Sequence, residues 1–253
     1  MEKVKIIGNY GIFKHYYVKP MIDNYTEVVM EKLANIIHLN CAHYDVKNIR
    51  GNSFYYSSDL NEGYIFVPAE SLGINTNNLN DIIEVFKSFF GEEADKFNID
   101  LIKMYAFDIL TLNPDRTNKN YGTLNAKHYK ELVILDNSAC LYEKIPAQIK
   151  ACGKKKRIEY DVSATYQNIE DLDYFLNNYK KKYTDIFFQV YNTLTPDVFV
   201  SVVSEIKEIP IEAKREMIRL YKCNYEQITN YIMYDLCVNT DVKLSRVKEE
   251  KLG

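Results

Sequence analysis

Residues 113–120 read Asn113-Pro114-Asp115-Arg116-Thr117-Asn118-Lys119-Asn120, a polar loop set between two ordered patterns. Upstream, residues 94–112 carry apolar side chains at helical spacing. Downstream stand two strand candidates, 123–126 and 131–136, the second ending Leu135-Asp136. A helix, a polar loop and a strand pair ending in an acid match the frame of a phosphoryl-transfer site of the kinase type. Such a site needs a carboxylate to accept or orient the proton of the acceptor hydroxyl, and Asp115 stands on the loop where it can. It needs a side-chain amide oxygen for magnesium a few positions on, and Asn120 completes an Asp-x-x-x-x-Asn spacing. It needs a second carboxylate to hold the metal, and Asp136 follows Asp115 by 21 residues. These are hard oxygen donors of the kind magnesium prefers. Taken singly, Asn-Pro-Asp is an ordinary turn and Asp-Asn an ordinary strand exit. Their order, spacing and setting favour the catalytic reading.

Working outward, residues 3–7 and 12–19 read as strands joined by Gly8-Asn9-Tyr10-Gly11, a hairpin-turn signal. Asp23 or Asn24 is placed to cap a helix running to about Leu39. Strand candidates follow at 41–46, 53–57 and 64–67, where Pro68 stops the last. Together these make one small sheet carrying one helix. Beyond residue 75 the pattern turns helical. Asn78 or Asn80 caps 81–90 and Gly91 ends it. Helices are expected over 94–112, 169–193, 196–207, 210–222 (Pro210 at the first position) and 225–237, with residues 240–253 frayed. The expected architecture is α+β and two-lobed, with a β-rich lobe over 1–67 and a larger, mostly helical lobe over 68–253.

Composition narrows the classes. At 47% hydrophobic and 26% charged, the 253 residues can bury a substantial core, which excludes disorder as the main reading. A net charge of −3 gives no basis for electrostatic capture of nucleic acid or an anionic membrane. No apolar run reaches the ~20 residues of a membrane span. The N-terminus has no hydrophobic signal region, so a cytoplasmic location is expected. The five cysteines show neither Cys-x-x-Cys nor zinc-ligand spacing, and the four histidines share no metal spacing. The runs Lys154–Arg157 and Lys180–Lys182 read as solvated surface, and the stripe from Leu172 to Val190 as core. Cys140, close to Asp136, has no neighbour in sequence that would activate its thiol.

The segments FDILTLNPDRTNKNYG (107–122) and LVILDNSACL (132–141) resemble the HipA-like serine/threonine kinases. In that family a helix runs into an Asn-x-Asp-Arg-His-x-x-Asn loop and then a strand ending Phe-Asp-Asn-Gly. Here Thr117 stands for the His and Ser138 for the Gly, and neither change removes a metal ligand or the base. The resemblance implies a protein-kinase-like fold and ATP- and Mg2+-dependent transfer to Ser/Thr of a protein substrate. It also implies a bacterial or phage setting, often as the toxin of a toxin–antitoxin pair whose partner is a small helix-turn-helix repressor.

A kinase needs a lysine on the α/β-phosphates and a helical carboxylate to hold it. Lys14 and Lys19 are both available on the strand 12–19, where alternation puts them on opposite faces. The family's habit of ending this strand apolar-Lys-Pro selects Lys19, in Val18-Lys19-Pro20, with Lys14 in reserve. Its partner would be Glu27, with Glu31 as runner-up. Gly8 and Gly11 would flank the phosphate-covering turn, which lacks the self-phosphorylated serine of some relatives. Adenine would lie against the backbone of Phe66-Val67-Pro68-Ala69-Glu70. Two rival readings share these residues: a pseudokinase or nucleotide-binding scaffold acting by protein contact, and a small-molecule or lipid kinase.

Overall fold

The computed structural model describes residues 5–7, 10–13, 16–20, 25–49, 52–58, 60, 64–75, 78–113, 116–126, 129–141 and 169–236. The chain builds two antiparallel sheets and, among the described residues, a largely helical remainder.

Strands β1 (Lys5–Ile7), β2 (Tyr10–Phe13), β3 (Tyr16–Pro20), β4 (Asp45–Ile49) and β5 (Asn52–Ser58) form the first sheet in the order β1-β2-β3-β5-β4. The continuous strand expected over 12–19 is two strands, with Phe13 opposite Tyr16. Lys14 and His15, which carry no glycine, proline or asparagine to signal a turn, fall outside the described residues. Alternation of apolar and polar residues reads the same on either side of so short a connection, so periodicity could not reveal the break. The face argument that separated Lys14 from Lys19 therefore lapses.

The second sheet joins β6 (Ile65–Pro68), β7 (Tyr121–Ala126) and β8 (Tyr129–Ile134) in that order. The 64–67 strand thus leaves the first sheet, where the sequence had put it, and pairs with β7 through Val67 opposite Thr123 and Pro68 opposite Gly122. Gly122 permits this approach, because a Cβ there would lie 2.3 Å from the Val67 carbonyl oxygen and 2.8 Å from Pro68 Cα. The expected strand 41–46 is displaced to 45–49, and Cys41 instead makes an isolated parallel bridge with Ile134.

Between β3 and β4 lies α1 (Thr26–Ile36), whose N-cap position is Tyr25; Asp23 and Asn24 lie outside the described residues. Helix α2 (Leu79–Phe90) is capped by the Asn78 side chain, which accepts from the Asn80 and Asp81 N–H groups, and Gly91 ends it at φ +54°. Helix α3 (Ala94–Thr111) follows. From Met104 to Thr111 every one of its residues is buried, the mark of a helix at the centre of a core rather than on its surface.

The helix expected over 169–193 breaks at Tyr179-Lys180 into α4 (Ile169–Asn178) and α5 (Lys181–Thr193). The apolar stripe runs through the break at unbroken spacing, which hid it. Leu172, Phe175, Tyr183, Phe187 and Val190 are buried along it, and Tyr105 of α3 sits 4.8 Å from the Phe175 ring. Burying each such side chain stabilises the fold by about 1.5–3 kcal/mol. Helix α6 (Pro196–Glu205) starts with Pro196 after a Thr195 cap and packs against α1. The two helices expected over 210–222 and 225–237 are one, α7 (Ile211–Asn230), running into a π-helical turn at Tyr231–Leu236. Asn224, which falls between the two expected helices, is buried within the single one and its amide reaches α3.

Candidate active site

The loop 113–120 begins where α3 ends, and the last carbonyls of the helix, Asp108 to Thr111, all have donors. The Asp108 oxygen accepts from the Leu112 and Asn113 N–H groups, and the Thr111 oxygen from the Leu141 N–H. The Ile109 and Leu110 oxygens accept from the Asn224 amide at 2.8 and 2.9 Å. The Ile109, Leu110 and Thr111 carbonyls, which lie beyond the last i+4 helical bond, are thus all satisfied. Leu112 turns the chain with φ +51°, a left-handed conformation unusual for leucine.

Arg116 follows three residues after Asn113 and is 1% exposed. Each of its five N–H groups has an acceptor. Nε and Nη2 donate to the two carboxylate oxygens of Asp108, both at 2.9 Å. Nη1 donates to the Asn120 carbonyl at 2.9 Å and the Leu135 carbonyl at 2.8 Å. The second Nη2 hydrogen goes to Asn137 Oδ1 at 2.6 Å. Asn113 Nδ2 adds a bond to Asp108 Oδ1. Burial holds the Asp108 carboxyl above the ordinary range, against the pull of the Arg116 guanidinium.

The strand exit after β8 lies directly against this loop. The Leu135 N–H donates to the Asn120 carbonyl at 2.9 Å, so the two candidate metal ligands, Asn120 and Asp136, occupy adjoining backbone positions. Asp136 has φ +51°, its N–H reaches the Tyr44 hydroxyl at 3.3 Å, and its Oδ1 accepts from Ser138 Oγ at 2.8 Å. A non-glycine residue held in that region of φ stores strain that the surroundings must impose. Asp136 lies two residues past the end of β8 rather than at it.

Helix α1 is fastened along this exit. Glu27, 1% exposed, accepts from the Asn137 N–H at 2.9 Å, and Thr26 Oγ1 donates to the Ser138 carbonyl. Further along, Glu31 accepts from the Tyr44 N–H at 2.8 Å and lies 2.5 Å from His43 Nδ1. That carboxylate pushes the His43 pKa up. Past the helix, the Asn40 carbonyl accepts from Ile134 N–H while Ala42 N–H donates to the Ile134 carbonyl. Asn137 Nδ2 completes the junction at Cys41 Sγ, 3.3 Å away. Burial raises the thiols of both Cys41 and Cys140, so both are the neutral, unactivated groups that Cys140 was read to be.

The segment expected to meet adenine is tied to the same loop. Glu70 N–H donates to the Asn118 carbonyl, Asn118 Nδ2 to the Ile74 carbonyl at 2.7 Å, and Tyr121 hydroxyl to Asn118 Oδ1. The Glu70 side chain is exposed, 3.7 Å from Lys119 Nζ. Val67 sits in β6 opposite Thr123.

Of the remaining expected residues, Asp115 and Gly8 lie outside the described residues. Gly11 is a strand residue of β2, opposite Ile6 and Val18, rather than part of a turn. Lys19 is placed by its backbone, in β3 opposite Tyr55. The sequence reading passed over Arg116, Asp108 and Asn137. One signal was available: an aspartate in an otherwise apolar helical run, eight residues before an arginine on a polar loop. Among the described residues no three His, Cys, Asp or Glu side chains gather to hold a metal ion. The donor set on offer is one carboxylate and one amide on adjoining backbone, which fits a hard, partly hydrated cation.

No protein-family model and no curated protein matches this sequence. Solved structures do. The Helicobacter pylori proinflammatory kinase CtkA superposes with a TM-score of 0.63 at 18% identity, covering 96% of this chain and 97% of that one. HipA of Shewanella oneidensis MR-1, solved as a toxin–antitoxin complex with HipB and operator DNA, superposes with a TM-score of 0.56 at 14% identity. That match covers 88% of this chain and 60% of HipA's. The chain has a HipA-like kinase fold. The α+β, protein-kinase-like fold expected from the sequence agrees with these neighbours. Among the described residues no single helix is long and apolar enough to cross a membrane.

Proposed function

We propose that this protein is an ATP- and magnesium-dependent kinase that phosphorylates Ser or Thr of a protein substrate. The observation that carries the reading is the Leu135–Asn120 backbone hydrogen bond, which brings Asn120 against the strand exit that bears Asp136. In the proposed reaction the acceptor hydroxyl oxygen bonds to the γ-phosphorus as the bond to the β-phosphate oxygen breaks. Asp115 takes or orients the hydroxyl proton. Lys19 offsets charge on the α/β-phosphates, and Glu27 holds Lys19. Asn120 and Asp136 would hold magnesium, which when bound neutralises charge on the β- and γ-phosphates. Val67 would present backbone to adenine with Glu70 beside it, and the β1–β2 connection that contains Gly8, followed by Gly11 within β2, would cover the phosphates. A cytoplasmic setting and a small helix-turn-helix partner, by analogy with HipA and HipB, belong to the same proposal.

The test is transfer of labelled γ-phosphate to protein. Asp136→Asn and Asn120→Ala should lose magnesium-dependent turnover while unfolding as cooperatively as the wild type. Asp115→Asn should still bind nucleotide and lose transfer. Wild-type rates in Asp136→Asn would remove the metal assignment, and an inert wild-type protein that still binds nucleotide would favour the scaffold reading.

A further inference from the structure

The chemistry-bearing candidates share one neighbour. Asp115 precedes Arg116, Arg116 holds the carbonyl of Asn120, and it holds Leu135 and Asn137 on either side of Asp136. A single nitrogen, Nη1, bonds both the Asn120 and the Leu135 carbonyls, at 2.9 and 2.8 Å. We infer that Arg116, oriented by Asp108, is a positioning residue that sets the distance between the Asn120 and Asp136 metal ligands. The geometry stands on its own; its catalytic consequence rests on the kinase reading.

A purely stabilising role explains the arrangement poorly. A fully desolvated Asp–Arg pair is weak as a source of stability, since apolar residues of similar volume often serve as well or better. What apolar packing cannot supply is direction. The bidentate Asp108 contact fixes the guanidinium plane and leaves the other three hydrogens aimed at fixed points. Those points are two carbonyls and one amide oxygen, spread over two separate segments of chain. Lysine, a point charge with three rotatable donors, cannot reproduce the fork. Asn137 extends the device to α1, because its Oδ1 accepts from Arg116 while its N–H donates to Glu27.

The experiment compares wild type, Arg116→Lys, Asp108→Asn and Asn137→Ala by magnesium titration of phosphoryl transfer and by amide hydrogen exchange. Removing an outer-shell partner of a metal site typically costs about 10–100-fold in metal affinity or activity. A rise of that size in the half-saturating magnesium concentration is expected in Arg116→Lys, with transfer partly recovered at high magnesium. A smaller rise is expected in Asn137→Ala, which keeps the buried arginine and covers the case in which Arg116→Lys fails to fold. Exchange should quicken at 117–120 and 135–138 while α3 and α5 stay protected. Unchanged exchange in both segments, or an activity loss with an unchanged magnesium requirement, overturns the inference. A wild-type protein with no transfer would overturn the kinase reading instead, and exchange would still decide the role of Arg116.

Discussion

The Glu27 carboxylate accepts a hydrogen bond from the Asn137 backbone N–H across 110 residues of chain, at 2.9 Å. Glu27 was read from the sequence as a partner for Lys19 alone. Its near-complete burial and its bond to the strand exit give it a second task. Glu27→Ala should therefore cost stability as well as transfer, by about 1–3 kcal/mol for the buried donor left unmet. Glu27→Gln keeps an acceptor oxygen for Asn137 and loses the charge, so it should recover most of the stability and little of the transfer. Thermal melts and γ-phosphate transfer on both variants check this. A glutamine variant with wild-type transfer would show that the charge is not used.

What the sequence could disclose was local chemistry in order along the chain. The order of helix, polar loop and strand pair around Asn120 and Asp136 was legible because apolar spacing and turn residues mark each element locally. The Asn78 cap and Gly91 stop were legible for the same reason. The Arg116 junction was not, because its acceptors lie at Asp108, Asn120, Leu135 and Asn137, and contacts at such separations leave no periodicity. The move of β6 into the second sheet was hidden likewise. Gly122, the residue that permits it, sat unremarked at the end of a polar loop.

Gly122→Ala is accordingly expected to damage the junction between β6 and β7. The added methyl would have to occupy a point 2.3 Å from the Val67 carbonyl oxygen, and backbone, unlike a flexible side chain, yields at high cost. Overpacking of this kind typically costs about 1–3 kcal/mol. Loss should appear as a lower denaturation midpoint and, since Val67 lies in β6 and Glu70 just after it, as a raised KM for nucleotide. Unchanged values of both would mean that β6 and β7 do not approach as described.

Asn224 offers a test of the closed end of α3 at a distance from any proposed ligand. Its amide is the donor to the Ile109 and Leu110 carbonyls, both within a buried helix terminus. Asn224→Ala should destabilise by about 2 kcal/mol or more, within the usual cost of buried polar groups left unpaired. Urea unfolding should show a lower midpoint with an unchanged slope. A substitution without effect on the midpoint would mean that water replaces the amide there, and that α3 does not depend on α7 for its end.

The last prediction concerns pH. His43 faces Glu31 on α1, at 2.5 Å through Nδ1, and Asp45 on β4, at 3.4 Å through Nε2. The Glu31 hydrogen bond is the largest cause of a folded-state pKa above the ordinary 6.5. A group whose pKa rises on folding lends stability in full below its unfolded value and loses it as pH climbs through the folded one. The stability difference between wild type and His43→Gln should therefore be greatest near pH 6 and decline through the neutral range into mildly alkaline solution. His43 is well exposed, so the effect should be modest and should shrink with added salt. Its neighbour Tyr44 carries the hydroxyl that meets Asp136 N–H, so exchange at Asp136 should quicken over the same pH range. Paired denaturation curves from pH 5.5 to 9 decide the matter. A wild-type advantage that grows with pH would reverse the sign of the His43–Glu31 contact and remove it as an anchor of α1.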